Sequence, residues 1–234
     1  MRLRDKLTLL LPALDLLEKG LSSENLTEET RERYLGEARR ASLGIMRVTN
    51  NLRDLAKTFQ DHAEPCPANL SDLFSQIISE TKQMVAHKPT AISFDCAETP
   101  FIANVDAANV KRLLYNLMSN AVLYGGGEVT ASLTRSGGSI RLRIQNNGND
   151  LNEIDPNYPG LGLCLALSIA RQNGGTMMIT SHKITGTTVT ISLPDEPLGD
   201  IPLEAPIGNL GDFPQHLIEL SDIPVYNKAY NLRD

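Results

Sequence analysis

Apolar residues between positions 34 and 59 recur at alternating steps of three and four: Ala38, Ala41, Ile45, Val48, Leu52, Leu55 and Phe59. Arg, Glu and Asn fill the other faces, so the pattern is a heptad seam and predicts a long helix over about 34–59. Thr27, followed by Glu28 and Glu29, offers an N-cap and an acidic first turn. Leu3, Leu7, Leu10, Leu14 and Leu17 form an earlier stripe, predicting a helix over about 3–19 that bends at Pro12 and is capped by Gly20. Two antiparallel helices bury two full stripes poorly in each other. A four-helix bundle from two chains does it better, which predicts a homodimer. The alternative is that the seam packs on the second half of the same chain.

After a linker at 61–67 (DHAEPCP) the period changes. Asn69 or Ser71 caps a helix running to about 86. Strands are predicted at ISFDCA (92–97) and FIANVD (101–106), then a helix over about 107–123. EVTASLTR and SIRLRIQN alternate apolar and polar residues around Ser136-Gly137-Gly138, a hairpin signal. A helix at about 161–173 ends at Gly174-Gly175, and TMMITSH and TTVTISLP supply the last strands. The expected fold class is α+β: an N-terminal antiparallel helical hairpin, then a two-layer sandwich with helices on one face of a mostly antiparallel sheet. The expected divisions are 1–62, 67–195 and a C-terminal extension, 196–234. The extension is rich in Pro, Gly and Asp, and its short apolar pieces HLIEL and PVYNKAY are expected to dock on the surface.

Composition adds exclusions. With 41% apolar and 21% charged residues the chain is an ordinary globular one. A net charge of −6 argues against nucleic acid as the main partner. Cys66, Cys96 and Cys164 are odd in number and far apart, without metal-ligand spacing, which fits a reducing cytoplasm. No apolar run reaches the roughly 18–20 residues that span a bilayer, and no signal peptide is recognisable.

The candidate chemistry lies on two helices. Asn116 and Asn120 stand at i and i+4, so both carboxamides share one helical face, while Leu113, Leu114, Leu117 and Val122 supply a core side. Gly160-Leu161-Gly162-Leu163 precedes the next helical run. Glycines allow close approach of backbone to a ligand, and a helix start offers unpaired N–H groups to phosphate. Taken alone, such a turn also serves as an ordinary loop before a core helix.

In this order the motifs resemble the core of sensor histidine kinases, over nearly all of residues 1–195. Asn116-Leu117-x-x-Asn120-Ala121-x-x-Tyr124 is similar to that family's N-box. Gly160-Leu161-Gly162-Leu163 with the helix to Gly174-Gly175 is similar to its second glycine box, and Gly186-Thr187-Thr188 to its closing Gly-Thr segment. The resemblance implies a Bergerat-type (GHKL) ATP site preceded by a dimerising hairpin, with a response regulator as partner. It implies that Asn120 holds Mg²⁺, that Asn116 lies beside the phosphates, and that the amides of Gly160 to Leu163 face the triphosphate. Tyr124, Asn146, Gly148 and Thr187 complete the implied nucleotide set.

The chain also departs from the family. The first glycine box, Asp-x-Gly-x-Gly, is here Asn146-Asn147-Gly148-Asn149-Asp150. Asn146 keeps an acceptor oxygen but not the charge, a loss of about 1 kcal/mol against a charge-assisted bond. Asp150 places a carboxylate where a glycine is usual, and only Leu151 to Pro159 remain for a lid. At the family's phosphoacceptor motif, MRLRDKL puts Met1 in the histidine's place. His62, His87, His182 and His216 all lie off the first predicted helix; His62 reads as a solvated linker residue and the others as surface residues. No catalytic residue is therefore assigned. Three readings stay open: a kinase core with reduced Mg-ATP binding and no acceptor of its own, an inactive dimeric adaptor that docks a response regulator, and an anti-sigma-factor-like Ser/Thr kinase. The long hairpin argues against the third.

Overall fold

The computed structural model describes residues 27–58, 65–148, 160–182, 185–196 and 214–223. The predicted first helix, His62, Asp150, the short lid and PVYNKAY lie outside the described residues.

The heptad seam forms one helix, α1 (Glu28–Thr58), 31 residues long. Thr27 Oγ1 accepts from the Thr30 N–H at 3.3 Å, a side-chain N-cap above the acidic first turn of Glu28 and Glu29. The seam itself is divided: Ala38 and Ala41 are buried and Leu55 packs on the core, but Leu52 is 51% exposed. The face turned fully inward is a different one: Leu43, Arg47, Asn51 and Asp54. α1 thus lies against the second half of its own chain through a stripe that is largely polar.

Four residues follow as β1 (Cys66–Asn69), which pairs antiparallel with β3 (Ile102–Val105) in a separate two-stranded sheet. The linker expectation for 61–67 is therefore corrected at Cys66 and Pro67. CPAN has no apolar alternation, and proline lacks an N–H, so it suits only a short edge strand of this kind. Asn69 then caps α2 (Leu70–Met84), its Oδ1 accepting from the Ser71 N–H at 3.2 Å.

The main sheet has five strands: β2 (Ala91–Cys96), β4 (Glu128–Ser136), β5 (Ser139–Asn146), β6 (Thr176–His182) and β7 (Gly186–Pro194). Their order is β2-β4-β5-β7-β6, with β2 parallel to β4 and every other pair antiparallel. Alternation sets the register. Val129, Ala131 and Leu133 of β4 and Ile140, Leu142 and Ile144 of β5 are at most 2% exposed, whereas Arg141 and Arg143 face out. Burying each larger aliphatic side chain stabilises the fold by about 1.5–3 kcal/mol. β4 and β5 join through Gly137 (φ 60°) and Gly138 (φ 72°), the paired left-handed conformation of a two-residue hairpin turn.

Three helices cover the inner face: α2, α3 (Ala107–Tyr124) and α4 (Leu161–Gln172). The Asp106 side chain caps α3 by accepting from the Asn109 N–H at 3.0 Å. α4 closes as expected at its glycine pair: Gly174 N–H donates to Arg171 O and Gly175 N–H to Ala170 O, at 3.0 and 2.8 Å. The fold is α+β, a helical N-terminal region followed by a helix-covered sheet.

The extension departs from surface docking. Residues Gln215–Glu219 form α5, and Leu217, Leu220 and Ile223 enter the core at 5%, 0% and 0% exposure. α5 packs against α1, α2 and α3. Five residues are too few to show a helical period, so the sequence pattern alone could not place them.

Candidate functional site

α3 sends Leu113, Leu114, Leu117 and Met118 into the sheet and turns Asn116 and Asn120 toward α1 and α4. The two amides meet different surroundings. Asn120 is half-buried in the wall of a cleft, and no described residue engages its carboxamide. Asn116 is completely buried. Its Oδ1 accepts from Arg47 Nη2 at 3.1 Å and Asn51 Nδ2 at 3.3 Å, and its Nδ2 donates to Arg112 O at 3.0 Å.

A cleft open to solvent lies beside Asn120. Leu117, Ala121, Ile144, Leu163, Ile179 and Val189 give it apolar walls, and Asn120, Tyr124, Asn146 and Thr187 are its polar positions. Asn146 ends β5 opposite Thr187 of β7. Its Oδ1 accepts from the Thr187 N–H at 3.1 Å and its Nδ2 donates to Ala121 O at 3.2 Å, joining both strands to α3. An amide oxygen has two lone pairs, so one acceptor site on Asn146 remains. Tyr124 and Ile179 stand 47% and 38% exposed at the cleft mouth.

Two glycines allow the close packing around it. A Cβ on Gly148 would stand 1.8 Å from Tyr124 O, so the loop after β5 lies directly on the end of α3. A Cβ on Gly162 would stand 2.7 Å from Asn116 Oδ1, so the start of α4 touches the N-box helix. Among the described residues nothing lies within 4 Å of a Cβ on Gly160, and this N-cap position lends α4 no side-chain hydrogen bond. The amides of Leu161 and its neighbours therefore carry the positive end of the helix dipole without a side-chain cap, suited to an anion. Asn120 supplies an oxygen of the type that magnesium prefers.

Beside the cleft lies a charged cluster that the sequence pattern did not announce. Arg47 Nη1 donates to Ser119 Oγ at 2.9 Å and to Asp222 Oδ2 at 2.8 Å, and its Nε stands 3.9 Å from Glu219 Oε2. Arg112 pairs with Asp54 through Nη1 and reaches Glu219 Oε1 at 3.5 Å. Burial pushes the Glu219 carboxyl above its ordinary value, against the pull of Arg112 and Arg47. Burial likewise lowers His216, which is half-buried at the start of α5 rather than on the open surface.

Of the sequence-predicted residues, Asn120, Tyr124, Asn146, Leu163 and Thr187 share the cleft, and Gly148, Gly160, Leu161 and Gly162 lie on the loops and helix start described above. Asn116 is set apart by its sealed carboxamide. Ile144 and Val189 were legible only as core alternation, each two residues from a polar cleft residue, and Ile179 is the cross-strand partner of Val189. Among the described residues there is no cluster of metal-ligating His, Cys, Asp and Glu, and no helix long and apolar enough to cross a membrane.

Residues 105–197 match the family described as histidine kinase-, DNA gyrase B- and HSP90-like ATPase. The chain is 25% identical over 213 residues to the sensor histidine kinase YcbM of Bacillus subtilis, covering 82% of this chain and 68% of that protein. It is 30% identical over 162 residues to Sporulation kinase B of the same organism, covering 63% of this chain but 37% of that kinase. Among solved structures, the histidine kinase AdeS of Acinetobacter baumannii superposes with a TM-score of 0.67 at 19% identity, over 83% of this chain and 98% of that one. Histidine kinase ThkA in complex with response regulator protein TrrA superposes with a TM-score of 0.62 at 15% identity, over 83% and 59%.

Proposed function

We propose, from the premise that this chain is a sensor histidine kinase core with a GHKL-type ATPase domain, that it serves two-component signalling by holding Mg-ATP with reduced affinity. The observation that supports this is the juxtaposition of an apolar cleft, three polar positions at Asn120, Asn146 and Thr187, and the open start of α4. In this reading the ATPase domain is 67–195. Adenine lies among Leu117, Ile144 and Val189, and the remaining acceptor site on Asn146 takes its amino proton. Asn120 ligates magnesium, and the amides from Gly160 to Gly162 face the phosphates, the Leu163 N–H being donated to Gly160 O at 2.9 Å. Bound Mg-ATP supplies a phosphoryl group, and phosphoryl transfer rests on positioning and charge neutralisation. The chain's own residues bind and orient; no histidine in it occupies a family acceptor position, so autophosphorylation is not expected. The partners in this reading are a second copy, joined through the helical hairpin at 1–62, and a response regulator in the cytoplasm.

Isothermal titration of the full chain with Mg-ATP tests this. Saturable heat with a Kd near 1 mM, corresponding to about −4 kcal/mol, is expected. No heat at several-fold higher nucleotide, with the fold intact, would rule the reading out.

A second reading is an adaptor that docks a response regulator without chemistry. It is favoured by the burial of Asn116, whose carboxamide is engaged entirely within the protein. Acid-labile phosphate on the chain after incubation with Mg-ATP would exclude it and would equally contradict the lack of autophosphorylation expected above; the titration separates the two readings.

A further inference from the structure

We infer that residues 214–223 are an intramolecular ligand for the Arg47–Arg112 guanidinium pair, and that while bound they fasten α1 to the N-box helix and withhold Asn116 from nucleotide. This rests on the Mg-ATP reading for its second part only.

Charge balance carries the argument. Among the described residues three cations, the buried Arg47 and Arg112 and the more exposed Arg53, face three carboxylates: Asp54 on α1, and Glu219 and Asp222 of the C-terminal segment. Asp54 pairs with Arg112. Among the described residues, the two carboxylates within ion-pair reach of Arg47, Glu219 and Asp222, both belong to the C-terminal segment. Arg47 is 4% exposed. An arginine at that depth without a carboxylate is a costly state, so loss of the segment must be answered by movement of α1 or by another anion. Segment docking and α1 docking are thus one linked equilibrium.

The catch is anchored: Leu217, Leu220 and Ile223 hold the segment in the core. Its effect reaches the site through α1. Arg47 Nη2 and Asn51 Nδ2, both on α1, hold Asn116 Oδ1, and that same oxygen abuts Gly162 at the start of α4. Opening the clamp and releasing α1 removes both donors that fix the carboxamide inward and uncovers Asn116 beside the cradle.

The test compares the full chain with Asp222→Asn, which keeps side-chain volume, and with Leu220→Asp, which expels the segment. Hydrogen exchange read by mass spectrometry, without nucleotide, should accelerate about tenfold or more over 43–58 in both variants. Protection in β4 and β5 should stay unchanged and so certify the fold. In titrations with Mg-ATP, the first variant should bind severalfold more tightly than the parent. Unchanged exchange in α1 overturns the clamp. Faster exchange with unchanged affinity overturns the withholding of Asn116. Faster exchange with no binding by parent or variant supports the clamp and removes the nucleotide reading instead.

Discussion

Arg47 of α1 donates to Asn116 of α3 across 3.1 Å, and both residues are buried. This bond joins the helical N-terminal region to the first residue of the N-box-like segment on α3. It has consequences for stability as well as for ligand access, because one partner is charged and the low dielectric around it magnifies any loss of compensation.

Replacing Arg47 by Met should therefore cost about 3–5 kcal/mol, since Glu219 and Asp222 would face no guanidinium on α1. Adding Asp222→Asn should recover part of that loss. Urea denaturation of the four members of the cycle gives the coupling; strictly additive effects would mean that the two side chains do not interact.

Stability should also depend on pH through Glu219. Its folded-state carboxyl titrates above the ordinary value of 4.5 because it is buried. Between the unfolded and folded values the native chain binds more protons, so stability falls as pH rises through that window. Denaturation midpoints of the parent should decline relative to Glu219→Gln from about pH 4.5 upward. Parallel curves would show that Glu219 is not a buried acid.

The glycines should separate folding from binding. Gly148→Ala sets a methyl 1.8 Å from Tyr124 O and should destabilise by about 1–3 kcal/mol or more in thermal melts. Gly160→Ala meets no atom of the described residues within 4 Å and should leave the melting temperature nearly unchanged. Equal losses for both would mean that the turn before α4 is as tightly packed as the loop after β5.

The exposed part of the seam bears on assembly. Leu52 is 51% exposed and Ile45 half-buried in the single chain. Ile45→Asp with Leu52→Asp should yield monomers by light scattering, whereas an unchanged dimer mass would remove α1 from the interface.

How much was legible follows from the range of the interactions. The β4–β5 hairpin and the close of α4 are encoded by neighbours, Gly137-Gly138 and Gly174-Gly175, and both could be read directly. The cleft's polar residues carried motif spacing. The inward face of α1 did not: Arg47, Asn51 and Asp54 look like a solvated face until Asn116, Arg112, Glu219 and Asp222, all distant in sequence, are brought to them. β1 was missed because CPAN pairs with a strand more than thirty residues away and shows no period of its own. Ile144 and Val189 read as core because alternation identifies an inward face without telling a filled interior from an open cleft.

The central claim is that nucleotide occupies the cleft beside Asn120. Amide spectra of the isotopically labelled full chain, recorded while Mg-ATP is added, test it residue by residue. Saturable shifts should appear at Leu117 to Tyr124, Asn146, Gly160 to Leu163 and Thr187 to Val189, be lost in Asn120→Ala, and spare β2. Shifts confined to other surfaces, or none at millimolar nucleotide, would contradict the account.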